Sequence, residues 1–281
     1  MPDGWRYYNH AAIPTCAPHE VPDLSPLEDG SIWNVHGGAA PVLARWTSDW
    51  DCGYETEWWY VIKDKPFDIA ALKSKRRYEI NKGIKFFEVR RINPCDYNEE
   101  LFRVTTTAYQ TYPESYRPHI TREGFLAETN RWSAHKEYLV YGAFSKEDDT
   151  LCGYALLRKD TEWIDFCVLK AIPEKEKLGL NAAIVYQILS DHAEYLEKEG
   201  YICDGARSIQ HETAFQDYLE KYFCFRKAYC KLNIMYKPTV KTLVFAAYHF
   251  KRLLRKLDHV APIKKMNDML KMEEIRRSFI I

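Results

Sequence analysis

The chain has 281 residues, 46% hydrophobic and 28% charged, with 40 Lys/Arg balanced by 40 Asp/Glu. That length suits one large domain or two small ones with a sizeable core. Zero net charge argues against the broad basic field of a non-specific DNA binder. The sequence shows neither an N-terminal apolar signal region nor an apolar run of about 18 residues able to span a bilayer.

In chain order, residues 1–40 read as an extended segment rich in Pro, His and Trp. PVLARWTS (41–48) and TEWWYVIK (56–63) alternate as strands do, with Asp49, Trp50 and Asp51 in the turn between them. Asp68 reads as the cap of a helix running to about Lys82 and closed by Gly83, which leads into the strand FFEVRRI (86–92). Helices are expected over 98–112 and over 121–135, the second with Thr121 as N-cap. Three strands follow at 137–145, 150–159 and 163–172, the first two joined by the hairpin turn Lys146-Glu147-Asp148-Asp149. A long helix (179–200), a strand (201–208), a helix (213–223) and a strand (226–236) complete the core. The remainder, 238–281, reads as amphipathic helix divided near Pro262, and from Lys237 onward it carries 11 Lys/Arg against 4 Asp/Glu.

Aromatic residues make up 15% of the chain, an excess that suits either packing or a cleft for sugars and flat rings. The eight cysteines form no CxxC pair and have no regular spacing, so they read as reduced thiols in a cytoplasmic protein with no metal site.

The element order, a meander of antiparallel strands followed by strand–helix–strand–helix–strand, resembles the GNAT acyltransferase fold over roughly 41–237. The expected class is therefore α/β (α+β), a mixed sheet flanked by helices with a helical C-terminal extension. In that fold the strand before the long helix splays from the next one to admit an acyl donor. AFQDYLEKYFCFRKAYCKL (214–232) is similar to the GNAT ending of a helix, a Gly-Phe turn and a strand, with Cys224 in the glycine position. DIAALKSKRRYEINKGIKFFEV (68–89) resembles the opening of the FemAB-like, BioF2-like acetyltransferase branch. The resemblance implies an acyl-CoA donor such as acetyl-CoA, its pyrophosphate held by the loop that opens the long helix. Here that loop reads EKLGLNAA (176–183), which makes Lys175, Lys177, Gly179 and Asn181 the donor-loop candidates. Glu176 stands where a cationic or amide residue is usual, and a carboxylate repels a diphosphate.

Within the opening helix, steps of about 100° from Ile69 place Leu72, Ile80 and Ile84 on one apolar face, with Lys73 and Arg76 inside it. A buried cation needs a partner. Either these residues staple the helix to a buried carboxylate such as Asp165, or Lys73, Arg76 and Arg77 hold a phosphate. Ser208 as N-cap would put His211 in a first helical turn, where the imidazole stays neutral and serves as a base, or is simply polar. Asp165, on a central strand, is the second candidate base. SDWDCGYETEWWY (48–60) offers Asp51, Tyr54 and Trp58 for an acceptor, or else forms a rim turn over core tryptophans.

The resulting expectation is an acyltransferase moving an acetyl or aminoacyl group to an amine or hydroxyl of a sugar or peptide precursor in cell-envelope or polysaccharide biosynthesis. The acceptor expected in that setting is a small-molecule or lipid-linked sugar or peptide, and the basic run 241–257 either docks on the core or lies on anionic lipid at the inner face of a membrane. Two rivals stand beside this reading: an aminoacyl-tRNA-dependent peptidyltransferase, and an inactive GNAT-like module that binds glycan or scaffolds a complex.

Overall fold

The computed structural model describes residues 1–34, 40–112, 114, 117–209 and 214–279. The chain opens with a hairpin of β1 (Trp5–Tyr8) and β2 (Ala11–Pro14), a short helix α1 (Ser25–Glu28), and strands β3 (Leu43–Ser48) and β4 (Trp58–Lys63). Helix α2 (Ser74–Phe86) runs into β5 (Phe87–Ile92), followed by α3 (Asn98–Gln110) and α4 (Arg122–Ala134). The meander β6 (Tyr138–Ser145), β7 (Leu151–Lys159) and β8 (Trp163–Ala171) leads to α5 (Pro173–Glu176), α6 (Leu180–Asp191) and α7 (Ala193–Glu197). Strand β9 (Tyr201–Ala206), helix α8 (Ala214–Phe223), strand β10 (Arg226–Tyr236) and helices α9 (Pro238–His249), α10 (Lys251–Leu254) and α11 (Ala261–Arg277) complete the chain.

These elements divide into two compact units. One comprises Met1–Tyr60, Ala206–Thr213 and Lys227–Ile281; the other comprises Val61–Gly205 and Ala214–Arg226. In the first unit, β2 pairs antiparallel with β1 and parallel with β3, and β3 pairs antiparallel with β10. Trp5, Ala12, Leu27, Ile32 and Ala44 close one core, so the N-terminal segment is a packed hairpin. Tyr236, Val244 and Leu270 help to close another, so the C-terminal helices dock by one face. Glu273, fully buried on α11, accepts from Arg276, Arg277 and the Tyr236 hydroxyl.

The second unit is built on strands in the order β9-β8-β7-β6-β5, antiparallel except for the parallel β8/β9 pair. Adjacent residues of β7 point to opposite faces. Gly153 meets Leu180 and Ile184 of α6, while the Tyr154 hydroxyl bonds Thr105 of α3 at 2.8 Å. Helices therefore cover both faces. The α3/α4 side is filled by Leu101, Val104, Phe125, Trp132 and strand residues such as Val140 and Leu156.

The expected helix from Asp68 is corrected at its start. Asp68 caps a single 3₁₀ turn (Ile69–Ala71), its carboxylate accepting from the Ala70 N–H at 2.8 Å. Leu72 is extended, with ψ 147°, and α2 begins only at Ser74. The break resets the helical phase, so Lys73 is an exposed N-cap residue and lies outside the apolar face. The expected helix 179–200 is likewise interrupted at His192 (φ −110°, ψ 16°). Thr121 caps α4 as expected, accepting from the Gly124 N–H at 3.1 Å. Cys224 adopts φ +56°, the left-handed conformation that glycine takes without steric cost, at the position matched to a glycine. All eight cysteines are free, and among the described residues no helix is long and apolar enough to cross a membrane.

Candidate functional site

The geometry that matters in the second unit begins where β8 and β9 part. Their parallel register runs through Trp163/Tyr201, Ile164/Ile202 and Asp165/Cys203 and stops there, although β8 continues to Ala171 and β9 to Ala206. Just past that point β7 and β8 slip register: Leu156 faces Val168 and Leu157 faces Phe166, leaving Cys167 as the extra residue of a bulge. A bulge bends its strand and locally disrupts the ladder. The pairing of β8 with β9 thus ends beside Asp165 and Cys167 on one strand and Asp204 on the other.

Asp204 was not singled out by the sequence, and its carboxyl is strongly perturbed. Its surroundings withdraw it from water and push its pKa up to about 7, with the nearby Asp165 charge adding to the rise and a hydrogen bond from Gln216 of α8 opposing it. A signal was available in TYR-Ile-Cys-Asp (201–204). Alternation puts Asp204 on the face of Ile202, which is fully buried, and the following Gly205 leaves the strand at φ +91°. A carboxylate in an apolar register is either paired or functional. Asp165, by contrast, faces its cross-strand neighbour Arg158 at 4.0 Å and accepts from the Cys167 thiol at 3.7 Å. The cation across the strand pair from Asp165 is Arg158.

Helix α8 packs where the pairing ends. Phe215 packs its ring against Phe166 of β8 (centroids 5.7 Å apart), and Gln216, one residue on, reaches Asp204. One turn further along, the Tyr218 phenol is pushed well above its ordinary pKa by burial, and then by the nearby Glu79, Tyr222 and Glu176. It remains a proton donor at any physiological pH. Tyr218 is the second functional candidate that the sequence did not reveal.

The donor-loop candidates sit at the start of α6. Gly179 is buried at φ +84°, and a Cβ there would lie 2.8 Å from the Glu79 carbonyl oxygen, so only glycine fits. Gly83 of α2 presses back equally closely: its Cβ would lie 2.2 Å from the Gly179 oxygen. Asn181 donates to the Glu176 carboxylate at 3.4 Å, while its own Oδ1 is buried without a hydrogen bond. Lys177 is exposed and its carbonyl accepts from Lys82 at 2.6 Å; Lys175 is half-buried in α5. Because α2 covers Gly179 and Glu176 brings a negative charge to the positive end of α6, these residues do not fit a diphosphate as a standard pyrophosphate loop would.

Arg76 is half-buried four residues before Ile80 and seven before Gly83, on the α2 face that meets α6, and Arg77 beside it is half-buried too. A cavity of about 490 Å³ lies at the opposite end of α6, between Arg91, Lys159, Tyr141 and His192. Burial lowers the pKa of His192, which keeps the imidazole neutral.

The remaining candidates belong to the first unit. Asp51 (φ +49°) and Tyr54 are exposed on the turn after β3. Trp58 is 2% exposed and packs with Cys230, Leu232 and Ile275, so its expected contact with an acceptor is corrected to a core role. Ser208 is half-buried, and His211 lies outside the described residues.

No protein-family model matches the chain, and no curated protein matches it. Among solved structures it is similar to the C-terminal domain of a protein from Agrobacterium fabrum described as a lysylphosphatidylglycerol synthetase. The two are 10% identical over 86% of this chain and 82% of the other, with a TM-score of 0.52. It is also similar to L-PGS from Bacillus licheniformis (11% identity, 86% and 83% covered, TM-score 0.49). A third match is the PaiA N-acetyltransferase of Thermoplasma acidophilum (23% identity, 40% and 72% covered, TM-score 0.30). The architecture is that of a GNAT-like acyltransferase fold, a mixed sheet flanked by helices with a C-terminal helical extension.

Proposed function

We propose that the chain is an acyltransferase that moves an acyl group from an activated ester, a thioester or an aminoacyl ester, to an amine or hydroxyl acceptor. The observation that carries this reading is Asp204, a carboxyl with its pKa raised to about 7 where two central strands part. Such a group is ionised often enough at neutral pH to accept a proton and basic enough to hold it.

As the acceptor nitrogen or oxygen attacks the acyl carbon, Asp204 takes its proton. Backbone N–H groups beside the parted strands stabilise the oxyanion. The carbon–sulfur or carbon–oxygen bond to the donor then breaks, and the protonated Asp204 returns its proton to the departing thiolate or alkoxide, which restores the base; Tyr218, still protonated, can donate a hydrogen bond nearby. Asp165 supports the charge distribution of the pair, with His211 kept as a further candidate base. Arg76, with Arg77 beside it, is the cation for an anionic part of the donor.

The setting proposed is cell-envelope or polysaccharide biosynthesis with a lipid- or peptide-linked acceptor. The similarity to a structure described as a lysylphosphatidylglycerol synthetase supports the lipid-linked class. Calorimetric titration with acetyl-CoA tests the donor. Heat that is weakened about tenfold by Arg76→Ala supports an acyl-CoA donor. No heat at millimolar acetyl-CoA removes that donor and directs the same titration to aminoacyl-tRNA.

A further inference from the structure

The C-terminal segment that closes the first unit has two unlike sides. Val240, Val244, Ala247 and Leu254 pack inward with Leu43 and Tyr236. Leu243, Phe250, Leu253 and Leu257, spaced by seven, three and four residues, are turned out instead, 56%, 63%, 59% and 38% exposed. Leu243 lies on α9 and Leu253 on α10, Phe250 stands at the break between them (φ −101°, ψ 11°), and Leu257 follows α10 in a 3₁₀ turn. Isolated exposed apolar residues need no explanation, but four large ones exposed within one short stretch of chain are of the kind that mark an interaction surface.

The charge around this stripe narrows the choice of partner. Residues 237–260 hold Lys237, Lys241, Lys251, Arg252, Arg255 and Lys256 against Asp258 alone. Lys251 and Arg255 both pair with Glu274 of α11, at 2.8 and 2.5 Å, and so fix the segment to the unit below it. Lys241, Arg252 and Lys256 are exposed. A second copy of the chain would set this positive charge against itself, and a nucleic acid would leave the apolar stripe uncovered. An interface that is apolar at its centre and anionic at its edge meets both requirements.

We infer that residues 241–257 are an interfacial docking surface for anionic lipid. Leu243, Phe250, Leu253 and Leu257 enter the headgroup–acyl boundary while Lys241, Arg252 and Lys256 meet lipid phosphates. The inference stands on the first unit alone and is independent of the chemistry at Asp204.

The test is co-sedimentation of the full chain with vesicles of phosphatidylglycerol and phosphatidylcholine, against vesicles of phosphatidylcholine only. The expected result is binding to the anionic vesicles that falls with added salt, and little binding to the zwitterionic ones. Phe250→Glu with Leu253→Glu should weaken it at least tenfold. Removing the charge of Lys241, Arg252 or Lys256 should weaken it about fivefold each. Because these side chains are exposed, unchanged thermal unfolding shows that a variant is intact. Three results overturn the inference: equal affinity for both vesicle types, vesicle binding untouched by the Glu pair, or a stripe buried in a dimer whose dissociation by the Glu pair leaves vesicle binding unchanged. RNA binding without vesicle binding overturns it as well.

Discussion

Two carboxyls withdrawn from water, one in each unit, behave in opposite ways. Glu273 is fully buried on α11, yet its pKa is lowered: burial would raise it, but hydrogen bonds from Arg276 and Arg277, their charge, and the Tyr236 hydroxyl prevail. At Asp204 burial prevails over the hydrogen bond from Gln216, the Asp165 charge adds to the rise, and the pKa reaches about 7. A carboxylate enclosed with its cations is a structural fastening. One at which burial prevails is poised to exchange a proton near neutral pH, as expected of a catalytic group.

The largest expected effect comes from removing the poised group. Asp204→Asn should lower acyl transfer by about 10²–10⁴-fold while the fold persists, measured as product formed per enzyme with circular dichroism as the control. Wild-type rate should rise with pH through about 7 as the base ionises. Removing the fastened group acts on stability instead: Glu273→Ala should cost about 3 kcal/mol or more in denaturant unfolding, because two arginines and a tyrosine hydroxyl lose their partner.

The pH dependence of folding sharpens the contrast, since the two slopes have opposite signs. For Glu273 the folded pKa is lowered, so its contribution is present above the unfolded value and is lost as pH falls through the folded one. For Asp204 the folded pKa is raised, so its contribution is complete below the unfolded value and is lost as pH rises toward about 7. That loss is on the order of 4 kcal/mol. Asp204→Asn should therefore raise the midpoint of unfolding at pH 8 and leave it nearly unchanged at pH 4. A smaller effect is expected at Gln216→Leu, which removes the hydrogen bond opposing the rise. The alkaline shift of the activity profile should be about one pH unit or less. The smallest serves as a control: Cys224→Gly relieves φ +56° and should stabilise by about 1 kcal/mol without moving either profile.

Much of the second unit's architecture was legible in the sequence, because period-two strands and capped helices carry their own signals there. Thr121 and the hairpin at 146–149 are examples, as is Cys224, whose strained φ supports its match to a glycine. What escaped depended on tertiary context. The phase of α2 was misread because one extended residue, Leu72, separates a 3₁₀ turn from the helix, which moved Lys73 into solvent and left Arg76 on the packed face. Asp204 lay inside a strand whose alternation already placed it inward, but the groups that set its pKa, Gln216 of α8 and Asp165 of β8, come from elsewhere in the fold. The tail read as either docked or lipid-facing. Its helices have a side for the core and a separate apolar side left exposed, so the two alternatives do not exclude each other.

The most direct test of the central claim is to follow carboxyl ¹³C shifts of labelled aspartates with pH, in the wild-type chain and in Asp204→Asn. The expected result is one aspartate signal that titrates near pH 7 and is absent from the variant. If every aspartate completes its titration below about pH 5, the ordinary range for an exposed carboxyl, Asp204 is not a poised base and the proposed chemistry fails with it.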